Sequence, residues 1–230
     1  MKKLALLIFL AALMGCQKTA EKKAVMPQTK QEMISYSIGM DVGESFLKQK
    51  LDLLPEFVAE GIEHGLSGQE PLLPKEQRDS LMNVFQEEMM NKQASDRQAL
   101  GEKNKIEGEA FLAANKEKEG VITTPSGLQY KVIVEGKGPI PKADDVVETH
   151  YRGTLINGQE FDSSYKRGQT ASFPVSRVIK GWTEALQMMK VGSKWQLFVP
   201  PDLGYGASGA GQDIGPNATL IFDIELIGIK

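Results

Sequence analysis

The residues of this chain that could do chemistry lie in three runs of its second half. One is Val178-Ile179-Lys180-Gly181-Trp182 and the residues to Leu186. The second runs from Tyr151 to Phe161-Asp162. The third is Asp202-Leu203-Gly204-Tyr205-Gly206-Ala207. They supply aromatic and aliphatic groups, the carboxyl of Asp162 and the phenols of Tyr151 and Tyr205. None contains a Cys or a His, so no nucleophile has a base beside it. Such a set can hold an apolar side chain and favour the twisting of a bond. It is poorly equipped to break one.

Other candidates fall away on their own sequence context. Gly204 to Gly209 is a literal G-x-G-x-x-G, but a dinucleotide loop needs a strand before it and a helix opening on it. Pro200 and Pro201 precede this one, and Gly211, Gly215 and Pro216 follow, so it reads as a loop across one end of a sheet. His64 and His150 have no Cys or acidic cluster at metal spacing, so neither a metal nor a cofactor is expected. Ser163 and Ser164 suit a turn after Asp162. A mildly acidic balance, 27 Lys and Arg against 30 Asp and Glu, comes with no basic stripe interleaved with aromatics. Nucleic acid is therefore not an expected partner.

These runs must be positioned by strands and a helix. Leu128, Tyr130, Val132 and Val134 alternate with more polar neighbours, and Val147, Thr149 and Tyr151 continue that style. Asn157-Gly158 is a hairpin signal, since a type I′ turn needs φ > 0 at both central residues. Trp195, Leu197 and Val199 share one face of a further strand, and Leu220, Phe222, Ile224 and Leu226 one face of the last. Between them Ile179, Trp182, Leu186 and Met189 mark one helix face, with Gly192 as its stop. The pattern predicts an α+β domain over residues 120–230, a twisted antiparallel sheet wrapped over one short helix.

The first half is helical. Ile34, Ile38, Val42 and Phe46 form a stripe beside Gly39 and Gly43, whose spacing suggests close approach by another helix. Phe57, Ile62 and Leu66 form a second set after Pro55. A region this small closes no core alone, so residues 30–74 are expected to dimerise. From Lys75 to Lys118 there is no proline, and residues 75–119 are expected to form one long linker helix of ~60 Å at ~1.5 Å per residue. Asn91 to Glu109 is almost wholly polar, which reads as a solvent-bridging stretch. Met82, Met89 and Met90 suit core or a dimer seam.

At the N-terminus Lys2 and Lys3 precede an apolar run from Leu4 to Met14, as in a secretory signal over residues 1–15. Leu13-Met14-Gly15-Cys16 resembles the lipobox of bacterial lipoproteins. Cys16 is the only cysteine and the expected lipidation site, followed by a flexible tether over residues 16–29. Gln17 rather than Asp after it points to an outer-membrane anchor, facing periplasm or exterior, with a soluble periplasmic protein as the alternative.

Tyr151-Arg-Gly-Thr-Leu155, Phe161-Asp-Ser-Ser164, Val178-Ile-Lys-Gly-Trp182 and Leu203-Gly-Tyr-Gly-Ala207 occur in an order that resembles the FK506-binding-protein (FKBP) type peptidyl-prolyl isomerases. Asn217 to Leu226 is similar to that family's last strand. Ser35 to Gly39, Ala110 to Asn115 and Ser126 to Tyr130 are similar to the amino-terminal region of macrophage infectivity potentiator-like members. The resemblance implies a dimer of intertwined helices holding isomerase domains apart, and folding assistance to exported envelope proteins. It implies a pocket floored by Trp182, with Tyr151, Phe161, Val178, Ile179, Ile214 and Phe222 as walls. Asp162 and Tyr205 are then its polar groups, with Arg167 orienting Asp162 and Tyr151, and the Ile179 N–H meets a ligand carbonyl. Ala171 and Ala210 stand where many members have an aromatic residue and a His, and both changes are expected to open the pocket. The implied partners are proline-containing unfolded polypeptides and a second copy of the chain, with macrolide-type inhibitors as further ligands. A non-catalytic holdase that grips unfolded chains in the dimer cleft is the competing reading.

Overall fold

The computed structural model describes residues 25–230. The expected signal peptide, the lipidation site Cys16 and the tether up to residue 24 lie outside the described residues. Contacts divide the chain into two units, meeting at Pro74 and Lys75.

In the first unit, α1 spans Lys30–Lys48 and α2 spans Pro55–Ser67. Thr29 starts α1 with a reciprocal cap: its Oγ1 accepts the Glu32 N–H at 3.2 Å, and the Glu32 carboxylate accepts the Thr29 N–H at 2.9 Å. Pro55 opens α2 and Gly68, at φ +69°, closes it. Neither helix has a buried residue. Ile34 and Ile38 are more than half exposed, as are Tyr36, Phe57 and Ile62, and among the described residues no neighbour comes within 4 Å of a Cβ placed at Gly39 or Gly43. The stripe read from the sequence is present; Val42 and Phe46 are partly covered, and among the described residues nothing buries Ile34 or Ile38.

The second unit is α+β. Its seven strands are all antiparallel: β1 (Val121–Thr123), β2 (Gln129–Val134), β3 (Val146–Leu155), β4 (Glu160–Ser163), β5 (Ala171–Pro174), β6 (Lys194–Val199) and β7 (Leu220–Ile229). The order is β1-β2-β6-β7-β3-β4, with β5 also paired to β3. One face packs on α4, Lys180–Leu186, through Trp182, Ala185 and Leu186. Leu128, Val147, Leu197, Leu220, Ile224 and Leu226 complete that core with no exposed surface. The helix ends at Leu186, earlier than the Gly192 stop that the apolar spacing predicts. Met189 is still fully buried, but beyond the helix.

The turn at Asn157-Gly158 also differs from expectation. It is a four-residue loop, Ile156 to Gln159, in which only Gly158 has positive φ, +86°. The Asn157 side chain accepts the Gln159 N–H at 3.0 Å and fixes the corner in place of a I′ backbone.

The helix α3, Lys75–Asn115, is continuous over 41 residues. Its polar second half is not solvent-bridging throughout. Gly101, Gly108 and Asn115 are buried at intervals of seven, on one face with Asn104 and Phe111. Phe111 meets Phe198 of β6 at 5.9 Å between ring centroids. The Asn115 amide donates to the Gln129 side chain at 3.0 Å, and the Gln129 amide donates to the Leu112 carbonyl at 2.9 Å. A Cβ at Gly108 would lie 2.3 Å from Thr219 Oγ1, so glycine lets the helix backbone down onto the sheet domain. This face docks by close approach and amide hydrogen bonds, which carry no hydrophobic signature. That is why it reads as solvated in the sequence.

Candidate active site

A cavity of about 650 Å³ opens at the end of the sheet over α4. Trp182 lies in the first turn of α4, whose N-cap is Ile179 at φ −59° and ψ 151°. The Trp182 ring is almost wholly buried, and three aromatic edges surround it. Tyr151, Phe173 and Phe222 meet it at 5.2, 5.8 and 5.3 Å, each within 8° of perpendicular. Phe161 in turn meets Phe222 at 5.5 Å and 82°. Edge-to-face packing fixes these rings without filling the space above Trp182.

Each wall has a reason in the strands. Tyr151 and Gly153 lie on the same side of β3, and Gly153 pairs with both Asp162 of β4 and Phe222 of β7. A Cβ at Gly153 would lie 2.5 Å from the Phe161 ring and 2.9 Å from that of Phe222. The missing side chain is the space that those two rings occupy.

The polar side is a three-residue network. The Tyr151 hydroxyl donates to the Asp162 carboxylate, and the Arg167 guanidinium pairs with that carboxylate. Arg167 also donates to the Tyr151 oxygen at 2.8 Å. Burial acts to raise the Asp162 carboxyl, but the bonds from Tyr151 and Arg167 outweigh it and hold it below the ordinary carboxylate value. Burial, and then the bond to Asp162, push the Tyr151 phenol up. Burial and the negative charge of Asp162 do the same to Tyr205, which therefore remains a neutral donor at the mouth of the cavity.

The third wall is the loop that follows β6. It folds on itself: Ala210 and Ile214 exchange backbone bonds of 2.8 and 3.1 Å, and the Asn217 N–H donates to Gly206 at 2.9 Å. Gly209, at φ +59°, sits where a Cβ would lie 2.3 Å from the Ile214 carbonyl. Helix α3 braces this loop from outside. Arg97 donates to the Ser208 carbonyl and Asn104 to that of Pro216, while Asn217 donates to the Gly101 carbonyl.

Of the residues expected from the sequence, Tyr151, Phe161, Asp162, Val178, Ile179, Trp182, Tyr205, Ile214 and Phe222 line this one cavity. Arg167 stands behind it, on Asp162 and Tyr151. Phe173, Arg177, Gly211 and Asp213 also line it and were not anticipated. Phe173 shares a face of β5 with Ala171, exposed Ser172 lying between them, and that alternation was the available signal. Ala210 is at the cavity; Ala171 packs against the core and is not among the lining residues. His150 stacks on Tyr165 at 4.7 Å, away from the cavity lining. Among the described residues no group of His, Cys, Asp and Glu could hold a metal ion.

Comparison with known proteins agrees over both halves. Residues 138–227 match the family described as FKBP-type peptidyl-prolyl cis-trans isomerase, and residues 31–132 match the domain amino-terminal to it. The chain is 46% identical over 223 residues to the outer membrane protein MIP of Legionella longbeachae, covering 96% of each. It is 41% identical to the peptidyl-prolyl cis-trans isomerase Mip of Coxiella burnetii, covering 92% of each. Among solved structures it is similar to FkpA from Escherichia coli, with a TM-score of 0.71 at 32% identity over 89% of this chain and 99% of that one.

Proposed function

Because this chain belongs to the FKBP-type peptidyl-prolyl cis-trans isomerases, we propose that the Trp182 cavity is where it turns the Xaa-Pro bond, with no cofactor and no covalent step. The chain is an enzyme of that class, and its substrates are proline-containing polypeptides. Rotation about the amide faces a barrier of roughly 18–20 kcal/mol because resonance is lost as the bond twists. The twisted amide has less charge separation than the planar one. A dry aromatic cavity therefore binds it better, and only such differential binding raises the rate.

In this reading the prolyl ring rests on Trp182, between Tyr151, Phe161, Val178, Ile179, Ile214 and Phe222. The Ile179 N–H and the Tyr205 hydroxyl take substrate carbonyls. Asp162, held by Arg167 and Tyr151, contributes field and shape and moves no proton. Macrolide-type inhibitors would enter the same cavity. The carrying observation is that Trp182 lines one cavity together with Tyr151, Phe173 and Phe222, whose rings pack perpendicular to it. Isomerisation of a short Leu-Pro or Phe-Pro peptide tests it. Acceleration by the purified chain, weakened in Tyr205→Phe and Asp162→Ala, supports the assignment. Undiminished rates in both variants would refute it. The family is one of enzymes, and no observation here favours a non-catalytic holdase instead.

The uncovered apolar faces of α1 and α2 support a homodimer through residues 30–74, which leaves residues 75–119 as the arm to the isomerase domain of residues 120–230. The amino-terminal signal, the lone Cys16 and the outer-membrane name of the Legionella relative support lipid attachment in the outer membrane, and clients among exported envelope proteins. No described helix is long and apolar enough to cross a membrane. Labelling with a radioactive fatty acid in a bacterial host checks the anchor: the wild type takes up label and Cys16→Ser does not. An unlabelled wild type found in the soluble periplasm would remove the anchor.

A further inference from the structure

Beside the proline cavity lies a second one of about 310 Å³, in the seam between α3, the β3–β4 turn and the loop after β6. Asp213 lines both, so the two are neighbours on either side of one residue. We propose that the seam binds the extended polypeptide that flanks the substrate proline, a reading that rests on the assignment of the first cavity as the prolyl site.

The chemistry of the seam suits a backbone more than a charged or purely apolar ligand. Asn157 and Gln159 on the turn and Gln212 on the loop present carboxamides, each with donor and acceptor. An extended chain has one N–H and one C=O per residue to satisfy, and carboxamides answer both. Leu100, Leu155 and Ile156 give an apolar floor for side chains, and Leu100 is 44% exposed. Lys103 and Glu107 at the rim face each other at 3.9 Å, which leaves the Asp213 carboxylate, at the junction with the first cavity, as an acceptor for backbone N–H groups. Each extended residue beyond the proline advances the chain by up to ~3.3–3.6 Å, so a substrate longer than a tetrapeptide is the one that can pass Asp213 and enter it. Because α3 supplies one bank, the seam exists only where the helix is docked on the sheet domain.

The test compares two substrates of the full-length protein: a tetrapeptide centred on Leu-Pro, and the same core extended by six neutral residues on each side. The variants are Gln159→Ala/Gln212→Ala, which removes exposed carboxamides, and Lys103→Trp, which crowds the rim from an exposed helix position. Unchanged circular dichroism and melting temperature control for folding. The inference expects kcat/KM on the tetrapeptide within twofold of wild type in both variants. On the long peptide it expects KM to rise five- to tenfold with kcat preserved. An unchanged KM for the long peptide in both variants would overturn it. So would equal losses on both peptides, which would place the seam's effect on the loop rather than on the chain it binds. A wild-type protein that accelerates neither peptide would refute the prolyl cavity itself, and this inference with it.

Discussion

Asn104 of α3 donates its side-chain amide to the carbonyl of Pro216 at 2.8 Å, across 112 residues of sequence. Pro216 closes the loop that carries Tyr205 and Ile214, so a helix outside the sheet holds one wall of the candidate active site. The neighbouring bond from Asn217 to Gly101 and the packing of Pro216 against Gly101 make the same connection.

Asn104→Ala leaves the Pro216 carbonyl without its partner. The expected cost is about 1–2 kcal/mol in denaturant unfolding. Amide exchange should accelerate in residues 205–217 more than in β3 or β7. If exchange rises uniformly across the sheet, or not at all in the loop, the helix does not brace it.

The pH profile follows from Asp162. Its folded value lies below the ordinary carboxylate, and its unfolded value is about 3.9. Its ionised form therefore stabilises the fold fully above the unfolded value, and that contribution is lost as pH falls through the lower, folded one. Activity and melting temperature should be insensitive to this group between about pH 5 and 8. A decline below about pH 4 should appear in the wild type and be absent from Asp162→Asn. An inflection near neutrality that vanishes in Asp162→Asn would show the carboxyl titrating as a proton carrier.

Gly153→Ala puts a methyl group where the Phe161 and Phe222 rings lie, at 2.5 and 2.9 Å from the new carbon. The rings have to move, at a typical overpacking cost of 1–3 kcal/mol. The expected result is a folded protein with kcat/KM down at least tenfold on a short peptide. Full activity would mean that Phe161 is not a wall that matters.

Gly43→Leu tests the dimer. Among the described residues nothing meets this position, so leucine there creates no clash and improves helix propensity by up to ~1 kcal/mol. A partner helix that approaches closely there would be pushed away. Sedimentation should show a dimer for wild type and a shift toward monomer for the variant. A monomeric wild type would remove the proposed assembly.

The short-range features of the fold were legible because their physics is local. Period-two alternation marked β2, β3, β6 and β7 and sends Tyr151 and Phe222 to one face, while the family resemblance, not periodicity, placed helix and loop residues such as Trp182, Tyr205 and Ile214 at the same cavity. The uninterrupted α3 was legible for the same reason: it lacks proline over 41 residues.

The tertiary structure alone decided what depends on distant partners. The Gly101, Asn104, Gly108 and Asn115 face looked like a solvated helix, because glycine and asparagine stabilise by admitting a neighbour's backbone and bonding to it. Neither contributes to a hydrophobic period. Gln129 looked like an outward residue of β2 and is buried, because Asn115 and Leu112 of α3 satisfy its amide. Phe173 joins the pocket through the pairing of β5 with β3, at Val147. Hydrophobic periodicity is written along one element at a time. Close approach and buried amide bonding are properties of two elements together, and no single stretch of this chain records them.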